Sequence, residues 1–551
     1  MKLSRLVKYF VAGIGALASI VTIAAAADRD TRAQRVGERA WQDVRVLAGD
    51  QMEGRRAATA GHRRAAAYVA AQFRKAGLKP LGGGRGDDAF LQSVPLEIRR
   101  INEAGSSLAL VRDGVKEALT LGDDAGFLLR GNSEREVDAP LVFVGHGLRL
   151  PEYGVDDLAG LDLKGKIVVA FNTAPTHVPG TVGAHHGSAA ERWKLYGAAG
   201  AVGLVLIPNP FSMDLPWPRA IQSRLSPFMV LRGSDDEFAG QKLWVMFNPT
   251  RLAKLLEGTP HKAEELLSLL KDGKPMPHFD LTARMTAVID VEVSAVTSEN
   301  VVGVLPGSDS ALRDEFVVLS GHLDHLGVKE AAEGEEPQDL IFNGALDNAA
   351  GIAVMLQIAR DLGKRKAPKR SILFAAVTAE EMGLLGSRAL VAEARAGGRK
   401  IVANLNSDMF LPLYPLKRLV VFGLEESDLA DDVRAVAAGL GIEVQTDPQP
   451  QRNRFIRSDQ YSFIRAGVPS LATKIGVLPD SPEAQIERQW QMERYHAVGD
   501  DLDQPVDLKA MGAYQELVKR LAVRVANRAE APRWYPASAF AKLGKEKSGK
   551  E

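Results

Sequence analysis

Residues 316–347 constrain the fold of this chain more than any other stretch. The run 316–319 is short, apolar and β-branched, which is the pattern of a buried parallel strand. Three residues that can hold a metal ion follow almost at once: His322, Asp324 and His325. Open α/β sheets bind ligands beyond the carboxyl ends of their strands, so this cluster is well placed for a metal site.

Asp347 precedes a second recognisable pattern. The apolar residues behind it fall on one helical face: Ile352, Met355, Leu356, Ile358 and Ala359. The pattern predicts a helix with the Asp347 carboxylate at its N-terminus. Taken alone, Asp347 could be only a helix cap and His322 a core histidine. The same order of strand and ligand recurs downstream, however, and the recurrence favours a functional site.

Two further apolar strands are followed by carboxylates. The run 371–377 precedes Glu380 and Glu381, and the run 401–405 precedes Asp408. The order in which a buried strand leads to a possible metal ligand therefore occurs three times in the second half of the chain.

His496, just before the last predicted helix, completes a set of two imidazoles and four carboxylates: His322, His496, Asp347, Glu380, Glu381 and Asp408. Carboxylates in one pocket repel one another unless cations are present. Two divalent ions carry four positive charges, and Asp347, Glu381 and Asp408 would balance three of them. Glu380 then stays free to act as a base, which is what a two-metal hydrolase requires.

The composition narrows the chemistry of such a site. The chain has 551 residues, with Lys+Arg and Asp+Glu both at 69 and a formal net charge of +0. This balance lacks the excess of positive charge that is typical of proteins that bind nucleic acid or an anionic membrane surface. The absence of cysteine excludes disulfides, thiol nucleophiles and Cys-ligated zinc. A transition-metal site must therefore use histidines and carboxylates.

The N-terminus predicts a targeting segment. It begins with three basic residues, Lys2, Arg5 and Lys8. The apolar run 10–23 and the small residues 24–27 follow, before Asp28. The run is short for a membrane-spanning helix and ends in alanines, so we expect cleavage rather than a stable membrane anchor. Residues 1–27 are thus predicted to be a signal peptide of an exported protein, periplasmic or secreted.

The alternation of strands and helices after residue 316 predicts an α/β fold. We expect a doubly wound, mostly parallel sheet with helices on both faces. The length of the chain suggests more than one domain. The main domain is predicted to comprise residues 28–135 and 278–530. Residues 531–551 are predicted to be a C-terminal tail, whose last part, 542–551, is charged.

Residues 136–277 have a different sequence pattern from the rest of the chain. They are predicted to be an inserted, β-rich domain that supplies no catalytic residues. Its histidines are not accompanied by carboxylates at strand ends. His185 and His186 stand in a glycine-flanked segment that predicts a surface loop, where adjacent side chains point apart. The stretch 252–270 is predicted to be helical.

Five motifs, in this order, resemble the di-zinc aminopeptidases of the secreted bacterial leucyl-aminopeptidase type. They begin at positions 322, 344, 379, 404 and 495 and read HLDHLG, GALDNAAG, AEEMGLLGS, NLNSD and YHAVGDD. The same group contains glutamate carboxypeptidase and the transferrin receptor. The resemblance covers the main domain and implies a zinc-exopeptidase fold. The segments GVDDLAGLDLKGKIVVAF and LYGAAGAVGLVLI make the inserted domain similar to a protease-associated domain.

The resemblance implies a role for each site residue. One zinc ion would take His322 and Asp408, and the other would take Glu381 and His496. Asp347 would bridge the two ions, Glu380 would be the general base, and Asp324 would orient His322. Three residues near the substrate follow from a shared Ser-Asp pair at position 458: Asp459, Gln460 and Tyr461.

The expected activity is hydrolysis of the N-terminal peptide bond of peptides with a free N-terminus, by a two-metal mechanism. A carboxypeptidase or a glutaminyl cyclase on the same site is the first alternative. The carboxypeptidase alternative stays open because such enzymes use basic residues to bind the terminal carboxylate of the substrate. Three arginines could do so: Arg452, Arg454 and Arg457. A non-enzymatic receptor is the second alternative, and the presence of all five metal positions and of Glu380 disfavours it.

Overall fold

The computed structural model describes residues 29–213, 216–233, 237–329 and 339–543. The predicted signal peptide 1–27 and residues 544–551 of the predicted tail lie outside this part. The chain divides into two compact units. The main unit contains the residues up to Val94, Ser298–Pro448 and the residues from Ser458 onward, and the inserted unit contains Pro95–Thr297 and Gln449–Arg457.

The helices alternate with strands along most of the chain. They are α1 (29–47), α2 (Ala60–Lys75), α3 (Gly180–His186), α4 (Ala189–Ala198), α5 (Trp217–Ala220), α6 (Leu252–Leu256), α7 (Ala263–Lys271), α8 (Ala350–Leu362), α9 (Leu385–Ala396), α10 (Leu429–Ala438), α11 (Gln460–Arg465), α12 (Pro482–Glu493) and α13 (Leu508–Ala526). No helix in the described ranges is both long and apolar enough to cross a membrane.

The strands are β1 (Lys79–Pro80), β2 (Leu91–Ile101), β3 (Ser107–Arg112), β4 (Val115–Leu119), β5 (Ala125–Phe127), β6 (Glu136–Phe143), β7 (Arg149–Leu150), β8 (Val155–Asp156), β9 (Ile167–Phe171), β10 (Gly203–Ile207), β11 (Phe228–Leu231), β12 (Leu243–Phe247), β13 (Phe279–Val288), β14 (Val291–Leu305), β15 (Glu315–His322), β16 (Gly327–Val328), β17 (Ile341–Phe342), β18 (Ser371–Val377), β19 (Lys400–Asn406), β20 (Arg418–Phe422), β21 (Glu443–Gln445) and β22 (Ser470–Gly476).

The sheet of the main unit is mixed, with a parallel centre. Its strands follow the order β14-β18-β15-β19-β22-β20-β21. The central neighbours β18, β15, β19 and β22 pair in parallel, whereas β14 and β20 pair antiparallel to β18 and β22. The predicted α/β class is confirmed, and antiparallel strands flank the parallel centre on both sides.

Helices pack against both faces of this sheet. Side chains alternate between the two faces along each strand, so neighbouring residues of one strand belong to different buried clusters. Val317 and Leu319 of β15 pack in one buried cluster with residues of α1, α2, α8 and α13. Val318, between them, packs in a second cluster with Leu390 of α9 and Phe463 of α11. Burial on both faces explains why the central strands read as continuous apolar runs.

The inserted unit has its own eight-stranded sheet, in the order β4-β3-β13-β6-β9-β10-β12-β5. Strands β6, β9, β10 and β12 pair in parallel, and β13 pairs antiparallel with β6 and β3. The compact unit is therefore larger than the predicted segment 136–277, because β3 and β13 complete the same sheet.

Two local predictions in the inserted unit were wrong. The stretch 252–270 contains two helices, α6 and α7, and left-handed Gly258 (φ +79°) stands between them, followed by Thr259 and Pro260. His185 and His186 lie at the end of α3, with ring centroids 4.7 Å apart, and His185 is buried. A helical backbone keeps adjacent rings closer than the predicted extended loop would.

Candidate metal centre

The register of the sheet brings the predicted site residues to one edge. His322, the last residue of β15, is paired with Val377 at the end of β18. Ser320 of β15 is paired with Asn406 at the end of β19. The turns after these neighbouring parallel strands carry Glu380, Glu381 and Asp408, so the three strand ends meet as the sequence predicts.

His322 faces two carboxylates with one ring nitrogen. Its Nδ1 lies 3.0 Å from the backbone carbonyl oxygen of Asp324, and a carbonyl can only accept, so Nδ1 carries the hydrogen. Its Nε2 lies 3.1 Å from Asp347 Oδ1 and 3.2 Å from Asp408 Oδ1. The tautomer fixed by the backbone leaves Nε2 available as a metal ligand.

The second carboxylate oxygen of Asp347 faces another histidine. Asp347 Oδ2 lies 3.2 Å from His496 Nε2, and this nitrogen is 3.4 Å from Glu381 Oε2. Asp347 therefore stands between two histidine–carboxylate pairs, with one oxygen directed to each pair. His322 and Asp347 are almost completely buried, whereas the His496 side chain is 36% exposed.

Asp347 does not lie at a helix N-terminus, contrary to the sequence prediction. Residues Ala345–Ala349 form a wide turn in which Asp347 has non-helical dihedral angles (φ −115°, ψ 90°), and α8 begins only at Ala350. The Asp500 carboxylate accepts hydrogen bonds from the backbone N–H groups of Leu346 and Asp347, at 2.9–3.2 Å. This buried acid holds the turn and was not singled out from the sequence.

The Asp324 side chain contacts a different partner from the one expected. Its carboxylate accepts hydrogen bonds from the backbone N–H groups of Glu380 (3.1 Å) and Glu381 (3.4 Å). Only the main-chain carbonyl of Asp324 contacts the His322 ring. Asp324 thus fixes the turn that carries both glutamates, across the gap from β15 to β18, and orients His322 through its backbone.

His325 is a second residue that the assignment of roles from sequence missed. It is fully buried, and its Nδ1 lies 2.8 Å from Glu381 Oε1. Glu381 therefore uses one oxygen for His325 and turns the other toward His496. Glu380, next to it, has the same intermediate exposure, so the two adjacent glutamates differ in their contacts rather than in burial.

The carboxylates of the site differ in their affinity for protons. Burial raises the pKa of Glu380 well above its usual range, and the charges of Asp408 and Glu381 add to this effect. Burial opposes ionisation of Asp347 as well, but hydrogen bonds with His322 and His496 hold its pKa well below the usual range. The site thus combines an ionised carboxylate at its centre with a proton-accepting one at its edge.

Both histidines are held toward the protonated form in the absence of a cation. Burial lowers the pKa of His322, but the Asp408 and Asp347 carboxylates raise it well above the usual value. Burial likewise opposes protonation of His496, and Asp347 and Glu381 raise its pKa. A metal cation in place of these protons would satisfy the same carboxylates.

The three residues predicted to lie near the substrate are all buried. The Gln460 side chain accepts a hydrogen bond from Asn406 Nδ2 (2.8 Å), within a polar network at the end of β19. Burial raises the pKa of Asp459 to about 7. The Tyr461 ring lies 5.9 Å from the Arg465 guanidinium.

The donor set fits divalent metal ions of the zinc type. Ligand atoms of His322, Asp347 and Glu381 all lie within 4.8 Å of one another. Imidazole nitrogen and carboxylate oxygen are the ligands that zinc takes when cysteine is absent. Fold and site together define a metal centre at the carboxyl edge of an α/β sheet, in the arrangement of a metal-dependent hydrolase.

Residues 300–522 match Peptidase family M28. This segment includes every residue of the centre described above, from His322 to Asp500.

Curated relatives share shorter segments. A probable zinc metalloprotease of Pyrenophora teres f. teres is 34% identical over 115 residues, which is 21% of this chain and 23% of the relative. A probable leucine aminopeptidase of Trichophyton verrucosum is 32% identical over 115 residues, 20% of this chain and 28% of the relative. The chain thus matches about a quarter of the length of these relatives.

Solved structures align over most of the chain at low identity. An aminopeptidase from Aneurinibacillus sp. strain AM-1 covers 91% of this chain and 97% of its own, with 20% identity and a TM-score of 0.49. A zinc aminopeptidase from Bacillus subtilis covers 89% of this chain and 94% of its own, with 19% identity and a TM-score of 0.42.

Proposed function

We propose that this protein is a zinc-dependent aminopeptidase that hydrolyses the N-terminal peptide bond of peptides. One observation carries the proposal: Asp347 directs one carboxylate oxygen to His322 and the other to His496, and each histidine has a second carboxylate partner. Such an arrangement would suit two cations that share the Asp347 carboxylate. The match of residues 300–522 to Peptidase family M28 supports the reaction class.

Two zinc ions are the cofactors we propose, with His322 and Asp408 on one, Glu381 and His496 on the other, and Asp347 between them. When bound, such ions supply Lewis acidity that polarises a peptide carbonyl and lowers the pKa of water. The name of a curated relative, a probable zinc metalloprotease, supports this choice of metal.

Glu380 is the proposed general base. Its backbone is held by Asp324, and its carboxylate is left free because Glu381, Asp347 and Asp408 engage the two histidines. It would take a proton from the attacking water and return it to the leaving amine.

A panel of aminoacyl chromogenic substrates tests the proposal on metal-free and zinc-loaded protein. We expect hydrolysis only after zinc loading and only of substrates with a free α-amino group. Equal rates on N-acetylated peptides would refute aminopeptidase action. Cleavage from the carboxyl end would instead favour a carboxypeptidase, and cyclisation of an N-terminal glutamine would favour a cyclase.

Further proposals rest on the sequence. We propose that the inserted unit is of the protease-associated type and takes no part in catalysis. We also propose that residues 1–27 direct export to the periplasm or the medium.

A further inference from the structure

Arg55 is fully buried and donates all its side-chain hydrogen bonds in the described structure to main-chain carbonyls. Nε lies 2.9 Å from the carbonyl oxygen of Leu323, Nη1 lies 2.6 Å from that of Leu47, and Nη2 lies 2.9 Å from that of Gly344. Nη1 also lies 2.5 Å from the carbonyl oxygen of Asn343. Four of the five guanidinium hydrogens are thus used in one rigid fork.

Two of these contacts are with the segments that carry the metal ligands. Leu323 directly follows His322, and Gly344 precedes Asp347 by three residues. The same guanidinium therefore joins the end of β15 to the start of the turn that places Asp347. The distance between these two ligands therefore depends on how far apart those two backbone segments lie.

The backbone around Arg55 forms a tight left-handed turn. Glu53, Gly54 and Arg55 have left-handed φ angles of 51°, 58° and 49° in succession. A Cβ on Gly54 would lie 2.4 Å from the carbonyl oxygen of Phe342 and 2.5 Å from that of Gly327, so this turn lies tightly against β16 and β17. Left-handed non-glycine residues are unfavourable, and such turns persist where surrounding contacts hold them.

Charge distinguishes Arg55 from a simple packing residue. The carboxylates of Asp500, Asp324, Asp347 and Glu381 all act on its guanidinium, and this attraction opposes the loss of charge that burial favours. The residue therefore brings one positive charge beneath an acidic cluster, without occupying any of its carboxylates in the described structure. Arg55 therefore does not compete with a metal ion for the carboxylates of Asp347 and Glu381.

We propose that Arg55 is a positioning residue of the metal centre, which sets the spacing of His322 and Asp347 by joining the backbones beside them. This inference rests on the proposed two-metal site. It also makes the N-terminal segment before α2 part of that site, although it contributes no ligand.

Arg55→Lys is the variant to test, because it keeps the charge and removes the fork. Arg370→Lys is a matched control, because Arg370 is equally buried. Arg370 lies just before β18, at the strand end away from the metal centre. It donates hydrogen bonds to Glu315, at the start of β15, and to the carbonyl oxygen of Arg528. We expect both variants to lower the melting temperature of the metal-free protein. Only Arg55→Lys should weaken the binding of the looser zinc ion, by about 10–100-fold in competition with a chelator.

Zinc affinities of the two variants that lie within twofold of each other would overturn the proposal. The unaltered protein supplies a reference in the same titration. If it binds no zinc, the proposed function fails, whereas two ions bound with the same affinity by the unaltered protein and by Arg55→Lys refute only the role of Arg55.

Hydrogen exchange on the unaltered protein tests the same coupling if Arg55→Lys does not fold. Coupling is reciprocal, so removing zinc should loosen the segment that Arg55 occupies. We expect faster amide exchange in residues 50–58 after removal of zinc and no change in residues 526–530, whose backbone Arg370 holds. Unchanged exchange in residues 50–58 would contradict the proposal.

Discussion

Glu380 and Glu381 are adjacent, yet we propose different tasks for them. Glu381 turns one oxygen to His325 at 2.8 Å and the other toward His496 at 3.4 Å, so both oxygens are engaged. Burial and the charges of Asp408 and Glu381 raise the pKa of Glu380. Replacing each residue by glutamine, which keeps shape and removes charge, should therefore separate proton transfer from metal binding.

Glu380→Gln should retain both zinc ions and lose about two to four orders of magnitude in kcat, the usual contribution of a general base. This corresponds to about 3–5 kcal/mol of transition-state stabilisation. Glu381→Gln removes the negative charge that balances His496 and a cation. We expect one zinc ion to be lost or loosely bound, and excess zinc to restore part of the activity.

Metal content by mass spectrometry and kcat at several zinc concentrations decide between the two roles. Each variant is the control for the other, since both change one glutamate of the same turn. If Glu380→Gln lost a zinc ion while Glu381→Gln kept two, the assignment would be reversed. Full activity of Glu380→Gln would remove the general base from the mechanism.

Three further predictions concern the rest of the chain. N-terminal sequencing of protein from the native host should start close to Asp28, and an intact Met1 would contradict export by cleavage. Substituting His185 and His186 with Ala should leave two zinc ions per chain, because both lie in the inserted unit, and loss of an ion would show that this unit contributes ligands. Asp361→Asn should lower the free energy of unfolding at pH 7 by about 0.5–1 kcal/mol, since burial opposes ionisation of Asp361 but Lys519 at 2.9 Å lowers its pKa. Because the folded pKa is the lower one, this difference should shrink as the pH falls below about 4 and vanish once Asp361 is protonated, as denaturant titrations at several pH values would show.

The parts of the site that follow strands could be predicted from local pattern. Buried parallel strands read as apolar runs, and their carboxyl ends meet at one edge, so His322, Glu381 and Asp408 were expected near one another. The sheet register places them there. The fold class follows from the same alternation of strands and helices.

Residues whose partners are distant in sequence could not be assigned in this way. Arg55 binds carbonyls 268 to 289 positions away, and no periodicity around it indicates them. Asp500 holds the Asp347 turn over 153 residues. In contrast, the break between α6 and α7 had a readable signal, because Gly258 and Pro260 are strong helix breakers.

Asp347 shows how a correct residue can be placed in the wrong local structure. Helical periodicity extends to the residues just behind it, and Asp is a favoured cap, so a helix start was the natural prediction. Gly344 adopts a left-handed conformation (φ 57°) and opens a wider turn instead. The turn directs the Asp347 carboxylate between two histidines, which a simple cap would not do.

The division of the main unit along the chain has a consequence for biosynthesis. Residues 29–94 share a buried core with α13, which ends at Ala526, whereas the inserted unit is complete at Thr297 apart from Gln449–Arg457. A ribosome adding about 5–20 residues per second needs roughly 10–50 s to travel from one point to the other. During that interval the apolar faces of α1 and α2 lack their final partners. The buried core around α1 and α2 is therefore complete only after α13 has been made.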